Sequence, residues 1–171
     1  MTESIQLGHL RIEISENDES ATLKFFGEVD EDFQKDKILV HTENPVVRLD
    51  LEHISGFNSC GIREWVFWVQ DLSLGRQLIF VNCSIPMIDQ INMIPQSLGS
   101  GKIESFFAPY FCQTCGEINR LIQLSEHSEK IHQKKAPHFN CDTCEGHLTF
   151  DSMDSSYFLF IDHQKNISEA C

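Results

Sequence analysis

The segment LDLEHISGFNSCGIREW, residues 49–65, decides the fold of the first part of the chain. It opens with the apolar–polar alternation of a half-buried strand. The polar stretch Asn58-Ser-Cys-Gly61 then favours a turn and a helix start. From Ile62 the apolar residues follow helical spacing. A strand that passes through a short turn into a helix is a building unit of α/β proteins.

The segments on either side of this unit predict more strands and helices in the order β-β-α-β-α-β-α-β. Alternation or continuous apolar runs predict strands at Leu10–Ile14, Ala21–Phe26, Val46–Leu51, Gln77–Asn82 and Lys102–Tyr110. Helices are predicted from Asp30 to about His41, over Gly61–Leu72, and from Pro86 to about Leu98, with Pro95 disturbing the end. A hairpin followed by βα units predicts a mixed sheet covered by helices.

The charge balance restricts the classes of partner. The 171 residues include 13 basic and 26 acidic side chains, for a net charge of −13, and both parts of the chain are acidic. Because such surfaces repel phosphate backbones, nucleic-acid binding is disfavoured. No apolar run is long enough to span a membrane, and the start MTESIQ resembles no export signal. We therefore expect a cytoplasmic protein.

Four of the seven cysteines form two Cys-x-x-Cys pairs, Cys112/Cys115 and Cys141/Cys144, with 25 residues between them (116–140). Each pair lets a tight turn aim two sulfurs at one point, and four thiolates suit a tetrahedral Zn²⁺ ion. A thioredoxin-like redox pair is the alternative, but it does not explain a duplicate. Since four cysteines leave no open coordination position, the predicted zinc is structural.

The sequence around these pairs resembles the zinc-ribbon family from Phe111 to Ile161. Two short strands, Gly146–Phe150 and Tyr157–Ile161, are predicted after the second pair, and Ser125–Pro137 supplies a long loop between the pairs. We therefore predict two domains, residues 1–109 and a small β zinc ribbon at residues 110–171. Four further histidines are expected to be solvent or loop residues rather than ligands: His127, His132, His138 and His147.

The first domain resembles the STAS (sulfate transporter and anti-sigma factor antagonist) family over roughly residues 5–110. In that family the third strand leads into an Asp-Ser-Ser/Thr-Gly-Leu loop at a helix start, which Asn58-Ser-Cys-Gly61 matches in part. The segment Phe26-Gly-Glu-Val-Asp30 and Leu74-Gly75 before an apolar strand resemble further family landmarks. The resemblance implies a STAS-like α/β fold that regulates by binding a protein, such as a kinase-type anti-sigma factor.

The matched loop departs from the family at the residue before Gly61. Family members carry there a serine that a partner kinase phosphorylates, whereas this chain has Cys60, which is no substrate for such a kinase. Ser59 is either a substitute site or, like Asn58, a helix cap. Cys60 either fills a tight turn or acts as a redox-sensitive thiol.

The helix after the loop offers a candidate partner surface at Phe67 and Trp68, because both fall off its apolar stripe. The alternative is that the zinc ribbon packs over them.

These features predict a non-enzymatic, regulatory protein–protein interaction module with a structural Zn²⁺ ion. No phosphate loop, metalloprotease motif or nucleophile elbow is present. The alternative is a nucleic-acid or transcription-linked zinc-ribbon protein, which would use the cluster Lys130, Lys134 and Lys135. A homo-oligomer is compatible with the sequence.

Overall fold

The computed structural model describes residues 2–38 and 44–169. Its larger sheet has six strands in the spatial order β1-β2-β3-β4-β5-β6. The first three strands form an antiparallel meander, and β3 to β6 run parallel to one another. The mixed sheet predicted from the sequence is thereby confirmed. Its strands are β1 (Thr2–Leu7), β2 (Leu10–Glu16), β3 (Ser20–Val29), β4 (Val46–Phe57), β5 (Gln77–Val81) and β6 (Lys102–Ile103).

Sequence patterning missed β1. The strand TESIQL has only two apolar residues, Ile5 and Leu7, and it pairs on one side with β2. An edge strand of this composition has little hydrophobic alternation to detect.

Two helices of this part follow the prediction, with a break at a proline. They are α1 (Ser59–Leu72) and α2 (Ile85–Met93). A separate 3₁₀ turn, Pro95–Leu98, continues the second one. Ile94 has φ −133° and ψ 89°, because a proline disfavours the helical conformation of the residue before it.

The helix predicted from Asp30 to about His41 is wrong within the described residues; its positions 39–41 lie outside them. The chain makes a turn after Asp30, and only Lys35–Lys37 forms a 3₁₀ turn. Phe33 and Ile38 are 1% and 2% exposed, so this segment is held by side chains that reach separately into the core. Burial of large apolar groups outweighs the weak helix preference of so short a segment.

One face of the larger sheet carries the core of this part. The buried positions alternate along β2 and β4, as in Leu10–Ile12–Ile14 and Val47–Leu49–Leu51. Phe25 on β3 packs edge-on against Trp65 and Trp68 of α1, with ring centroids 5.5 and 5.8 Å apart. The aromatic contacts therefore attach α1 to this face.

A second sheet, β8-β7-β9, is antiparallel throughout and consists of β7 (Ser105–Cys112), β8 (Gly116–Gln123) and β9 (Leu148–Phe150). The strand predicted over Lys102–Tyr110 is thus two strands in different sheets. A parallel bridge between Cys83 and Phe106 links the sheets. The predicted domain boundary at 109/110 falls inside β7, and buried residues from both sides of it belong to one core.

The predicted ribbon hairpin is half right. Strand β9 forms, but Tyr157–Ile161 is not a strand: Tyr157 ends α4 (Asp154–Tyr157), Phe158 and Leu159 form a turn, and Phe160 begins α5 (Phe160–Glu169). The interval predicted as a loop, Ser125–Pro137, contains most of helix α3 (Leu124–His132). Phe158 and Phe160 are fully buried and contact Phe106, so the end of the chain returns to the junction of the two sheets.

None of the helices in the described ranges combines the length and the apolar character that crossing a membrane requires.

Candidate functional site

The first Cys-x-x-Cys turn closes the β7–β8 hairpin. Cys112 is the last residue of β7 and pairs with Gly116, the first residue of β8. Gly116 has φ +87°, the left-handed conformation that glycine adopts at little cost. A glycine directly after the first cysteine pair therefore lets the hairpin turn without backbone strain.

The second turn has the same design but lacks the glycine. The N–H of Cys141 donates to the carbonyl of Gly146 at 2.7 Å, and the N–H of Glu145 donates to the carbonyl of Cys141 at 2.9 Å. The residue directly after the second cysteine is Glu145, with φ +60°. Here a non-glycine residue takes the left-handed conformation that the turn requires.

The two turns bring all four predicted ligands together. The sulfurs of Cys112, Cys115, Cys141 and Cys144 lie within 4.8 Å of one another. Across the turns, Cys112 Sγ is 3.4 Å from Cys144 Sγ, and Cys141 Sγ is 3.7 Å from Cys115 Sγ. A tetrahedral ion with metal–sulfur bonds of about 2.3 Å needs sulfur–sulfur edges of about 3.8 Å. The four sulfurs therefore fit a candidate metal site.

Backbone amides of each turn favour the thiolate of its first cysteine. The N–H groups of Cys144 and Thr143 lower the pKa of Cys141 to about 6. The N–H groups of Cys115 and Thr114 lower the pKa of Cys112 in the same way. Because metals bind the thiolate rather than the thiol, the turns prepare these sulfurs for coordination.

The burial of the cluster is uneven. Cys112 and Cys141 are buried, Cys144 is partly buried, and Cys115 is exposed. Four sulfur ligands leave no open position for a substrate or a water molecule. The chemistry of the donor set therefore favours a structural site.

No histidine of the described residues joins the cysteine cluster. The ring of His127 packs edge-on against Phe139, and His132 Nδ1 donates to the carbonyl of Ser128. His138 and His147 are exposed, with ring centroids 6.0 Å apart.

The turn predicted to matter for partner binding lies at a helix start. Strand β4 ends at Phe57, and Asn58 caps α1 by accepting the Gly61 N–H at 2.9 Å. The side chains of Ser59 and Cys60 are exposed. Of the two candidate caps, the structure uses Asn58, which leaves the Ser59 hydroxyl outside the cap.

A glycine is required at position 61 because a side chain there would clash with the backbone, and not because of its backbone conformation. A Cβ at this position would lie 2.0 Å from the carbonyl oxygen of Val29. The glycine lets the start of α1 approach the end of β3, and Glu31 beyond that strand accepts a hydrogen bond from Asn58.

The prediction that Trp68 lies on the surface is wrong. Trp68 is 4% exposed, whereas Phe67 is 49% exposed. Phe25 and Phe33 contact the Trp68 ring edge-on, and this tryptophan lies on the same buried face of α1 as Trp65 and Leu72. Of the predicted pair, only Phe67 is available to a partner.

Sequence reasoning missed a polar pair beside the α1 start. Asp30, expected to cap a helix, is buried and accepts hydrogen bonds from His9 Nδ1 at 2.8 Å and from the Asp32 N–H at 2.9 Å. The hydrogen bond raises the pKa of His9 and lowers that of Asp30. The partners are distant in sequence, and no local pattern indicates the contact.

The lysine cluster and two cysteines outside the four-sulfur site remain to be located in the structure. Lys134 forms an ion pair with Asp162 at 2.5 Å, which offsets part of the cluster's positive charge. Cys83 is fully buried in the core. Cys171 lies outside the described residues.

No protein-family model matches this chain, and none of the curated proteins matches it with significant similarity.

Proposed function

We propose that this chain is a non-enzymatic regulatory module that binds a protein partner in the cytoplasm and resembles the STAS-domain anti-sigma factor antagonists. The observation that carries the proposal is the start of α1, where Asn58 caps the helix and Ser59 and Cys60 face solvent. A rigid helix start next to exposed side chains offers a partner a fixed backbone and few groups to order on binding.

The partner surface would continue along α1. Exposed residues follow helical spacing on α1 from Cys60 through Arg63 to Phe67, and Leu74, two residues beyond the end of the helix, is 76% exposed. Exposed aromatic and arginine side chains are the types that dominate protein–protein interfaces. We propose a kinase-type anti-sigma factor, or another signalling assembly, as the partner.

Regulation would differ from that implied by the resemblance. Cys60 occupies the position of the family's phosphorylated serine, so Ser59 is the only hydroxyl of this turn that a kinase could use. A phosphate there would add about two negative charges beside Glu31 and change the affinity for the partner.

We propose Zn²⁺ as the ion of the cysteine cluster, because a closed set of four thiolates is the ligand set of structural zinc sites. The ion would stabilise the turns that anchor the second sheet.

The test is affinity capture from the native cell with the full zinc-loaded chain, identification of the bound proteins, and titration with each purified partner. Phe67→Ala should weaken binding at least about tenfold, as expected for a central interface aromatic. Leu121→Ala is the matched control, since Leu121 is 38% exposed on the second sheet and should leave the affinity unchanged. Binding that is insensitive to Phe67→Ala and Arg63→Glu would refute this surface.

A further inference from the structure

Two histidines flank the second cysteine turn on opposite arms of the chain. His138 lies on the arm that enters the turn, and His147 lies on the arm that leaves it. The arms are tied by the hydrogen bond from Leu148 N–H to the Phe139 carbonyl at 2.9 Å and by the bridge between Asn140 and His147. Backbone pairing therefore fixes the positions from which both imidazoles project.

The two rings lie on the same side of this stem. Their centroids are 6.0 Å apart and their planes differ by 35°. An ion bonded at about 2.1 Å to one nitrogen of each ring would lie about 3 Å from each ring centre. Small side-chain rotations therefore allow both rings to share one ion.

Both imidazoles are free to bind. They are exposed, and within the described parts of the chain neither ring accepts or donates a hydrogen bond. By contrast, His9 and His132 use their Nδ1 atoms in contacts with Asp30 and the Ser128 carbonyl. Among the described residues, the ring nitrogens of His138 and His147 thus have no competing partner.

We propose that His138 and His147 form a second metal site, separate from the four cysteines and independent of the proposed partner function. Its ligand is a divalent transition-metal ion of the class that prefers imidazole, such as Ni²⁺, Cu²⁺ or Zn²⁺, with water in the remaining positions. Oxygen-preferring ions such as Mg²⁺ and Ca²⁺ gain little from two imidazoles. The net charge of −13 attracts cations to the protein.

The test uses the full chain without an affinity tag, loaded with zinc at the cysteine cluster, and Ni²⁺ as the probe. Calorimetric titration should show one additional Ni²⁺ per chain without release of zinc. His138→Ala and His147→Ala should each weaken Ni²⁺ binding at least about tenfold, because each removes one of two protein ligands. His132→Ala is the matched control and should leave the Ni²⁺ affinity unchanged.

A second measurement identifies the ligands directly. Substoichiometric Ni²⁺ should broaden the imidazole proton signals of His138 and His147 before those of the other histidines. The proposal is overturned if wild-type protein binds no Ni²⁺, if both single variants bind it as tightly as wild type, or if the broadening selects other rings. Zinc content measured on every variant separates loss of this site from damage to the cysteine turn.

Discussion

Gln164 of α5 accepts a hydrogen bond at 2.9 Å from the backbone N–H of Ile103, which lies in the edge strand β6. This contact connects the end of the described chain to the first sheet. Nearby, Asn92 of α2 donates to the carbonyl of Tyr157 at 2.9 Å, and the Tyr157 hydroxyl donates to the Phe107 carbonyl at 2.6 Å. The residues after the second cysteine turn thus contribute to the packing of the first sheet and its helices.

We predict that Phe160→Ala destabilises the first part of the chain along with the second. Phe160 is fully buried and its ring centroid is 5.0 Å from that of Phe106, so the substitution should cost about 3–5 kcal/mol. Both tryptophans, Trp65 and Trp68, lie in the core of the first part, so their fluorescence reports its unfolding in urea. Leu159→Ala, at a residue 37% exposed, is the control. An unchanged tryptophan transition in Phe160→Ala would mean that the parts unfold separately.

Metal binding should depend on Cys141 and not on Cys60. Wild type and Cys60→Ser should retain one ion per chain after dialysis, and Cys141→Ser should retain none, as measured by elemental analysis. Free Zn²⁺ at 1,000 times its Kd should add about 4 kcal/mol to the free energy of unfolding of the metal-free wild type. Zinc retention by Cys141→Ser would contradict the four-sulfur site.

The cap of α1 offers a pair of adjacent substitutions with different outcomes. Asn58→Ala should cost about 1 kcal/mol of folding free energy, because it leaves the Gly61 N–H without its acceptor. Ser59→Ala should change stability by much less, since its exposed hydroxyl makes no cap hydrogen bond. Equal losses in urea unfolding would show that both residues cap the helix.

The two cysteine turns should respond oppositely to changes at their left-handed residues. Glu145→Gly should stabilise the metal-loaded protein by about 0.5–1 kcal/mol by relieving the strain of φ +60°. Gly116→Ala should destabilise it by about 1 kcal/mol through backbone strain alone, since a Cβ there meets no atom within 4 Å. Chemical unfolding at fixed free zinc measures both. Destabilisation by Glu145→Gly would indicate a role for the carboxylate.

The His9–Asp30 pair should make stability depend on pH. Because the pKa of His9 is raised in the folded protein, the pair contributes free energy of folding that is fully present below the ordinary pKa of 6.5. This stabilisation is lost as pH rises through the folded pKa. Because the pKa of Asp30 is lowered in the folded protein, its stabilisation is present above the ordinary pKa of 3.8 and is lost as pH falls through the folded pKa. His9→Gln should therefore reduce stability at pH 5.5 more than at pH 8.5. Equal effects of His9→Gln at both pH values would exclude the ionic pair.

Local patterns predicted the elements whose apolar periodicity agrees with the positions that are buried in the structure. Alternation in Leu10–Ile14 and Val46–Leu51 located β2 and β4, and the apolar spacing after Gly61 located α1. The four metal-site cysteines were also predictable, because a Cys-x-x-Cys pair is a local geometric requirement that does not depend on distant contacts.

Tertiary packing decided the positions where short apolar runs allow more than one structure. Tyr157–Ile161 has the composition of a strand, but it forms the end of α4, a turn and the start of α5, and packs against Phe106. So short a run carries no periodicity that separates a strand from a helix. Burial of Trp68 depends on Phe25 and Phe33, which approach α1 from other segments of the chain.

The sequence by itself determined which residues could form strands, the main helix and a four-sulfur cluster, because those depend on spacing along the chain. Only the tertiary structure decided which aromatic side chains are buried, where the last helix lies, and that His9 meets Asp30. Those outcomes depend on contacts between residues distant in sequence, whose energies exceed the local preferences of either partner.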